Sequence, residues 1–313
     1  VHECGGPDIS GMDDLAGLLA LDHGVEVVGY WGQAVGAPSQ AEELLEATGA
    51  HGLAGDLFCD GALGSRTAAL RAPYADAPET RGASYLDVEQ IAAHVSACTR
   101  AGIQAGFHVI GDAAADAVVA GFATVEAEVG VTALRGCRHR LEHLEMVNPD
   151  QARRLAGWGV MASVQPAFDA SWGGAEGMYA LRLGVARAAA MNPYALLAAV
   201  GVGLAFGSDA PVTPLDPWGT VRAAAAHHSP GSQINAIEAL AAHTYGGYRA
   251  AATDDPLAGT LLPGAPASYA IWNSSDGFGD DGFGDDGFGA DTPTCLRTVH
   301  RGRVVFEQED ALR

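Results

Sequence analysis

Strand-like apolar runs alternate with helix-like ones along most of this 313-residue chain, and the strand ends are polar. The runs at 25–31, 52–58, 103–107, 137–144, 160–164 and 203–206 have strand length. Stretches at 41–47, 87–101, 112–129, 150–158 and 194–200 carry helical periodicity, as do 217–226 and 236–252. Such alternation predicts a parallel sheet with helices on its outer face. The strand ends fall near Trp31, Phe58, His108, His143, Gln165 and Asp209, at intervals of 27, 50, 35, 22 and 44 residues. An α/β barrel of the (β/α)8 TIM type, at about 30 residues per unit, accommodates these intervals with loop insertions. A doubly wound sheet would want a GxGxxG turn after an early strand, and none is present.

The six strands follow a short opening stub at 1–3, so the expected barrel lacks its first strand in this chain and occupies residues 1–258. Residues 259–313 read as the C-terminal part of a small β-sandwich domain, with strand-like runs at 264–272 and 297–306 and a turn at Gly302. Between those runs lies an acidic repeat of period five, Asp-Gly-Phe-Gly, over 276–290. Its composition predicts a loop, and its spacing is not that of an EF-hand.

All 17 basic residues are arginine, so a Schiff-base lysine, a P-loop lysine and a carboxylated-lysine metal bridge are excluded within the chain. A formal charge of -21 argues against nucleic acid and against an anionic membrane surface, and leaves a small molecule as the expected partner, with self-association open. The five cysteines are scattered and form no CxxC pair, which fits reduced thiols in a cytoplasm.

His108, His143 and Asp209 each stand at a strand end in a different βα unit, and a barrel gathers such ends at one face. Imidazole nitrogen and carboxylate oxygen are ligands that zinc, manganese or iron accepts. His139-Arg-Leu-Glu-His143 also matches H-x-x-E-H, a metalloprotease signature that requires a helix, whereas the alternation puts a strand here. No serine lies in a G-x-S-x-G elbow, and Cys59 has no cationic neighbour in sequence to activate it. Arg66 has two readings: contact with an anionic substrate group, or pairing with Asp60.

The phrases DLFCDGALGSRTAALRAPY at 56–74, GFHVIGDAAAD at 106–116, RHRLEHLEMV at 138–147, ASVQPAF at 162–168, FGSDAPVTPLDPW at 206–218 and GTLLPGAPASYAIW at 259–272 resemble the amidohydrolase superfamily. In detail they are similar to its YtcJ-like branch, amidohydrolase family 3, which includes N-substituted formamide deformylases. The resemblance implies a divalent metal, zinc first among candidates, as one or two ions. It implies His108, His143 and Asp209 as ligands, with Asp56 a further oxygen ligand where many members carry lysine. It further implies Asp209 as the base, assisted by His143, with Asp60, Arg66 and Gln165 lining the substrate pocket. The expected activity is hydrolysis of an amide or N-acyl bond of a small molecule by metal-activated water. The alternatives are a truncated, non-catalytic barrel remnant or binding module, and more remotely the H-x-x-E-H metalloprotease. The family's first-strand His-x-His has no counterpart in this chain, and upstream sequence carrying it is expected.

Overall fold

The computed structural model describes residues 1–22, 24–273 and 293–308. The repeat at 276–290 lies outside them. Strands β1 (His2–Gly5) and β2 (Val28–Trp31) pair in parallel, and β3 (Gly106–Val109), β4 (Arg140–His143), β5 (Met161–Val164) and β6 (Gly203–Phe206) form a second parallel sheet in that order. Residues 52–58, expected as a strand, join the two sheets by single parallel bridges: Tyr30 to Gly52, Leu53 to Ala105 and Phe58 to His108. Spatial order therefore follows chain order without reversal. That is the arrangement of a barrel wall, since a doubly wound sheet reverses direction partway.

The strands at 106–109, 140–143 and 161–164 are buried at every position, as expected of parallel strands with a helix layer outside and a filled interior. The outer layer includes α1 (Met12–Ala20), α2 (Pro38–Thr48), α3 (Val88–Ala101), α4 (Asp112–Val129), α5 (Val131–Cys137) and α6 (Pro149–Trp158). Helix α3 starts where Asp87 accepts the Gln90 N–H at 2.8 Å, and it ends on Gly102 at φ 71°, a conformation glycine adopts without strain. Phe107, Leu141, Val118, Phe122, Leu155 and Trp158 belong to one core between strands and helices. The strand expected over 137–144 is shorter than its apolar run, because α5 continues through Cys137 and Arg138 turns the chain at φ 47°. His139 then ties the two layers: its Nδ1 accepts the Ala105 N–H at 2.9 Å, and its Nε2 meets the Thr99 hydroxyl, also at 2.9 Å. It is fully buried among helix-layer groups, and His143 lies on a strand, so the H-x-x-E-H protease reading does not hold.

Further along come α7 (Pro166–Trp172), α8 (Met178–Leu183), α9 (Val185–Ala188), α10 (Tyr194–Val200) and α11 (Pro217–Ala225). The single helix expected at 236–252 is two, α12 (Ala236–His243) and α13 (Tyr245–Ala250), broken at Thr244. Strands β7 (Tyr269–Asn273), β8 (Thr294–His300) and β9 (Arg303–Glu307) form the small antiparallel sheet, with Gly302 at φ 82° in the turn.

A buried polar group lies on the inner side of the wall. The Arg140 guanidinium donates to both Glu142 oxygens at 2.6 and 3.0 Å and to Ser163 Oγ at 3.0 Å, and it lies 4.3 Å over the Tyr30 ring. Burial alone would disfavour both charges; the bidentate pairing satisfies them.

Candidate active site

His108 and His143 meet at the carboxyl ends of β3 and β4, with ring centroids 4.5 Å apart. Each ring is held by one acceptor that also fixes its proton. His108 Nε2 lies 3.1 Å from the Gly61 carbonyl. A carbonyl only accepts, so Nε2 carries the hydrogen and Nδ1 keeps its lone pair. Burial, reinforced by His143, pushes the His108 pKa down to about 3, so the ring is neutral at neutral pH. His143 Nδ1 lies 2.8 Å from Gln165 Oε1, and the Gln165 amide nitrogen donates to the Ser163 carbonyl at 3.3 Å. Gln165 therefore accepts from Nδ1–H, and His143 Nε2 is left with its lone pair.

Backbone strain aims His143. Along β4, Arg140 and Glu142 meet each other inside the wall while Leu141 enters the core beneath the helices. Strict alternation would send His143 outward with Leu141. Instead His143 has φ 69° and Leu144 φ 45°, a left-handed pair that turns the imidazole back to His108.

Asp60 is not a substrate contact. Its side chain has no exposed surface, and its oxygens accept three backbone N–H groups: Ala69 at 2.8 Å, Gly111 at 2.8 Å and Ile110 at 3.0 Å. Gly111 allows the approach, since a Cβ there would lie 1.9 Å from the Ala69 carbonyl oxygen. Burial raises the Asp60 pKa to about 6, against the three N–H groups that pull it down. The carboxylate thus clips the 60–69 loop onto the end of β3, while sitting 4.0 Å from His108 Nε2.

Arg66 takes neither reading offered by the sequence. It forms a bidentate pair with Asp76 at 2.8 and 3.2 Å, and Arg182 converges on the same carboxylate. Gln165, expected in the pocket lining, acts through His143 instead. Asp56 is half-buried with its pKa raised to about 6, first by burial and then by Asp209, so those two carboxylates share one region. Asp209 itself follows β6 in an exposed turn at φ 54°, closed by the Val212 N–H on its carbonyl at 2.8 Å.

Two imidazoles, each with one nitrogen turned to a fixed acceptor, suit two positions of a metal centre. Among the described residues, however, no three His, Cys, Asp or Glu side chains group closely enough to hold an ion. The expected convergence of His108, His143 and Asp209, with Asp56 in support, is thus present as the imidazole pair alone, because the turn after β6 leaves Asp209 toward solvent.

Sequence reasoning missed Glu145. Two positions past His143, it is 3% exposed, with one oxygen lacking any protein partner. Burial lifts its pKa to about 7 while His143 and a hydrogen bond with Tyr179 oppose the rise. The sequence signal was only its closeness to a strand-end histidine.

The contact between Gln165 and His143 makes a prediction. Gln165→Leu should weaken metal retention or turnover about 10–100-fold by freeing the His143 ring, whereas Gln165→Glu, which keeps an acceptor, should retain most of it. Metal titration of both variants checks this; equal losses would assign Gln165 a packing role.

A parallel barrel wall with two tautomer-fixed histidines at its carboxyl rim is the architecture of barrel hydrolases. The chain belongs to the amidohydrolase family, whose model matches residues 1–306. It is 34% identical over 234 residues to Protein LONG AFTER FAR-RED 3 of Arabidopsis thaliana, covering 70% of this chain and 38% of that one. It is 31% identical over 190 residues to the amidohydrolase YtcJ of Bacillus subtilis (strain 168), covering 59% and 34%. Among solved structures, an uncharacterized metal-dependent hydrolase from Pyrococcus furiosus matches with a TM-score of 0.66 and 26% identity, over 85% of this chain and 54% of that one. The chain thus spans between about a third and just over half of these relatives' lengths.

Proposed function

We propose that this chain forms most of the catalytic barrel of a divalent-metal-dependent hydrolase that cleaves a non-peptide amide or N-acyl bond of a small molecule. The observation that carries the reading is the pair of buried imidazoles, each with one nitrogen held by a fixed acceptor and the other turned away from it. His108 Nδ1 and His143 Nε2 would hold the metal, with zinc the first candidate. A bound divalent ion supplies Lewis acidity and lowers the pKa of water. The residues of the chain do the rest. Gln165 and Gly61 keep the two rings oriented, and Phe58 and Phe168 flank them at 4.6 and 5.8 Å, excluding bulk water from one side. Asp209, on the rim, would accept the proton of the attacking water at a carboxylate oxygen and return it to the departing nitrogen. Among the described residues no single helix is long and apolar enough to cross a membrane.

The test uses the full-length protein. Metal analysis after purification should return at least one divalent ion per chain, and simple N-acyl amines should be hydrolysed in proportion to metal content. A metal-free protein with undiminished turnover, or a metal-loaded one that cleaves no amide, would sink the reading.

A further inference from the structure

Helix α7 carries two groups that meet the His143 ring. Gln165, its N-cap, accepts the Nδ1–H at 2.8 Å, and Phe168, in its first turn, lies nearly parallel to the imidazole, at 13° and 5.8 Å. The next residue, Asp169, is 4% exposed and reaches the 227–228 segment just past α11. Its Oδ2 accepts the His228 backbone N–H at 3.0 Å and lies 3.0 Å from His228 Nδ1, and its Oδ1 lies 3.4 Å from His227 Nε2. Both rings turn a proton to the carboxylate. It only accepts, so His228 Nδ1 carries a hydrogen, and His227 Nδ1 accepts the Ser229 N–H at 2.9 Å, which leaves the His227 hydrogen on Nε2.

The chain on both sides is shaped for this contact. A Cβ at Gly173 would collide with Asp169 Oδ1, and one at Gly174, where φ is 81°, would lie 2.9 Å from His228 Cδ2. The 227–229 segment is itself anchored: Tyr194 meets the His227 ring edge-on at 5.5 Å, Gln233 donates to the His227 carbonyl at 3.0 Å, and the Ser229 hydroxyl donates to the Ala189 carbonyl at 2.7 Å. A buried carboxylate costs more than an apolar side chain of its size unless donors surround it. What the donors add is direction, since a satisfied polar group fixes the rotation of a seven-residue helix more specifically than apolar packing does. The contact also joins the helix that holds His143 to the chain that follows the Asp209 turn.

We propose that Asp169 and His228 are positioning residues: their bond holds α7 where Gln165 meets His143 Nδ1. The inference rests on the hydrolase reading for its metal readout, but its first test needs no metal. His228 suits substitution because its side chain is 44% exposed. In the metal-free, full-length protein with isotope-labelled histidine, His228→Ala should shift the His143 ring-nitrogen resonances, assigned by their loss in His143→Ala, at a nearly unchanged thermal midpoint. Zinc retention should weaken about 5-fold, less than the roughly 10–100-fold of a direct ligand partner. His228→Asn, whose amide nitrogen can donate from where Nδ1 stood, should return both toward the unsubstituted values. In a Gln165→Leu background, His228→Ala should add less than about 2-fold, because both changes act on one ring. Unmoved His143 resonances in His228→Ala, an equal shift in His228→Asn, or the full additional loss in the Gln165→Leu background would each overturn the assignment. If the resonances shift as expected in a protein that retains no metal, the positioning stands and the hydrolase reading falls.

Discussion

Asp60→Ala should destabilise the protein by at least about 3 kcal/mol. Three buried backbone N–H groups, from Ala69, Ile110 and Gly111, lose their acceptor at once. An unsatisfied buried donor costs roughly 1–3 kcal/mol, so the lowest sum is already about 3 kcal/mol of a typical 5–15 kcal/mol. The damage should be local before it is global: the 60–69 loop detaches from β3, and Gly61 withdraws the carbonyl that fixes His108. Urea unfolding with hydrogen exchange at 61–69 and 108–111 checks both parts. A loss below about 1 kcal/mol, or exchange unchanged in these segments, would show that the carboxylate is not the clip. Asp60→Asn is the informative partner, since its single carbonyl oxygen can serve only part of the set.

His143→Ala should lower turnover of the full-length protein about 10³-fold or more, the scale on which a single preorganised group at a reacting centre acts. It should also release metal, because half of the imidazole pair is gone. Stability should move little, since alanine keeps the Cβ and therefore the backbone held at φ 69°, and empties no large apolar volume. Metal content, kcat/KM and thermal midpoint measured together separate these effects. Normal metal content with normal turnover would remove His143 from the chemistry altogether.

The barrel was legible because its signal is redundant. Six apolar runs with polar ends, spaced by helices, specify a parallel wall even when one of them, 52–58, contributes only bridges. His108 and His143 were legible for the same reason, each standing at the end of a run. The apolar cluster that joins Leu63 and Tyr74 to Phe168 and Tyr179 was not, because 166–188 holds short helices of four to seven residues whose apolar positions face another loop, leaving no sustained period to read. Helix α5 was hidden by the apolar run that follows it without a strong breaker. Asp60, Gln165 and Arg66 were read as pocket-lining residues, but their partners in the fold lie 9 to 51, 22 and 10 residues away in sequence. Local pattern carries no information on such pairings. Asp209 was legible as a strand-end carboxylate, whereas the left-handed turn at φ 54° that leaves it exposed is a tertiary outcome.

The left-handed pair at His143 and Leu144 gives position 143 two simultaneous demands, one chemical and one conformational. Glycine would suit the backbone better than histidine, and Leu144, 2% exposed, cannot become glycine without opening the core. Genetic drift should therefore act unevenly on this rim. In any descendant lineage released from its chemistry, position 143 should be among the first to change, and toward glycine or asparagine, while 144 stays aliphatic. A retained histidine at 143 across distant sequences would then be a record of continued use, since nothing in the folding of the strand asks for it.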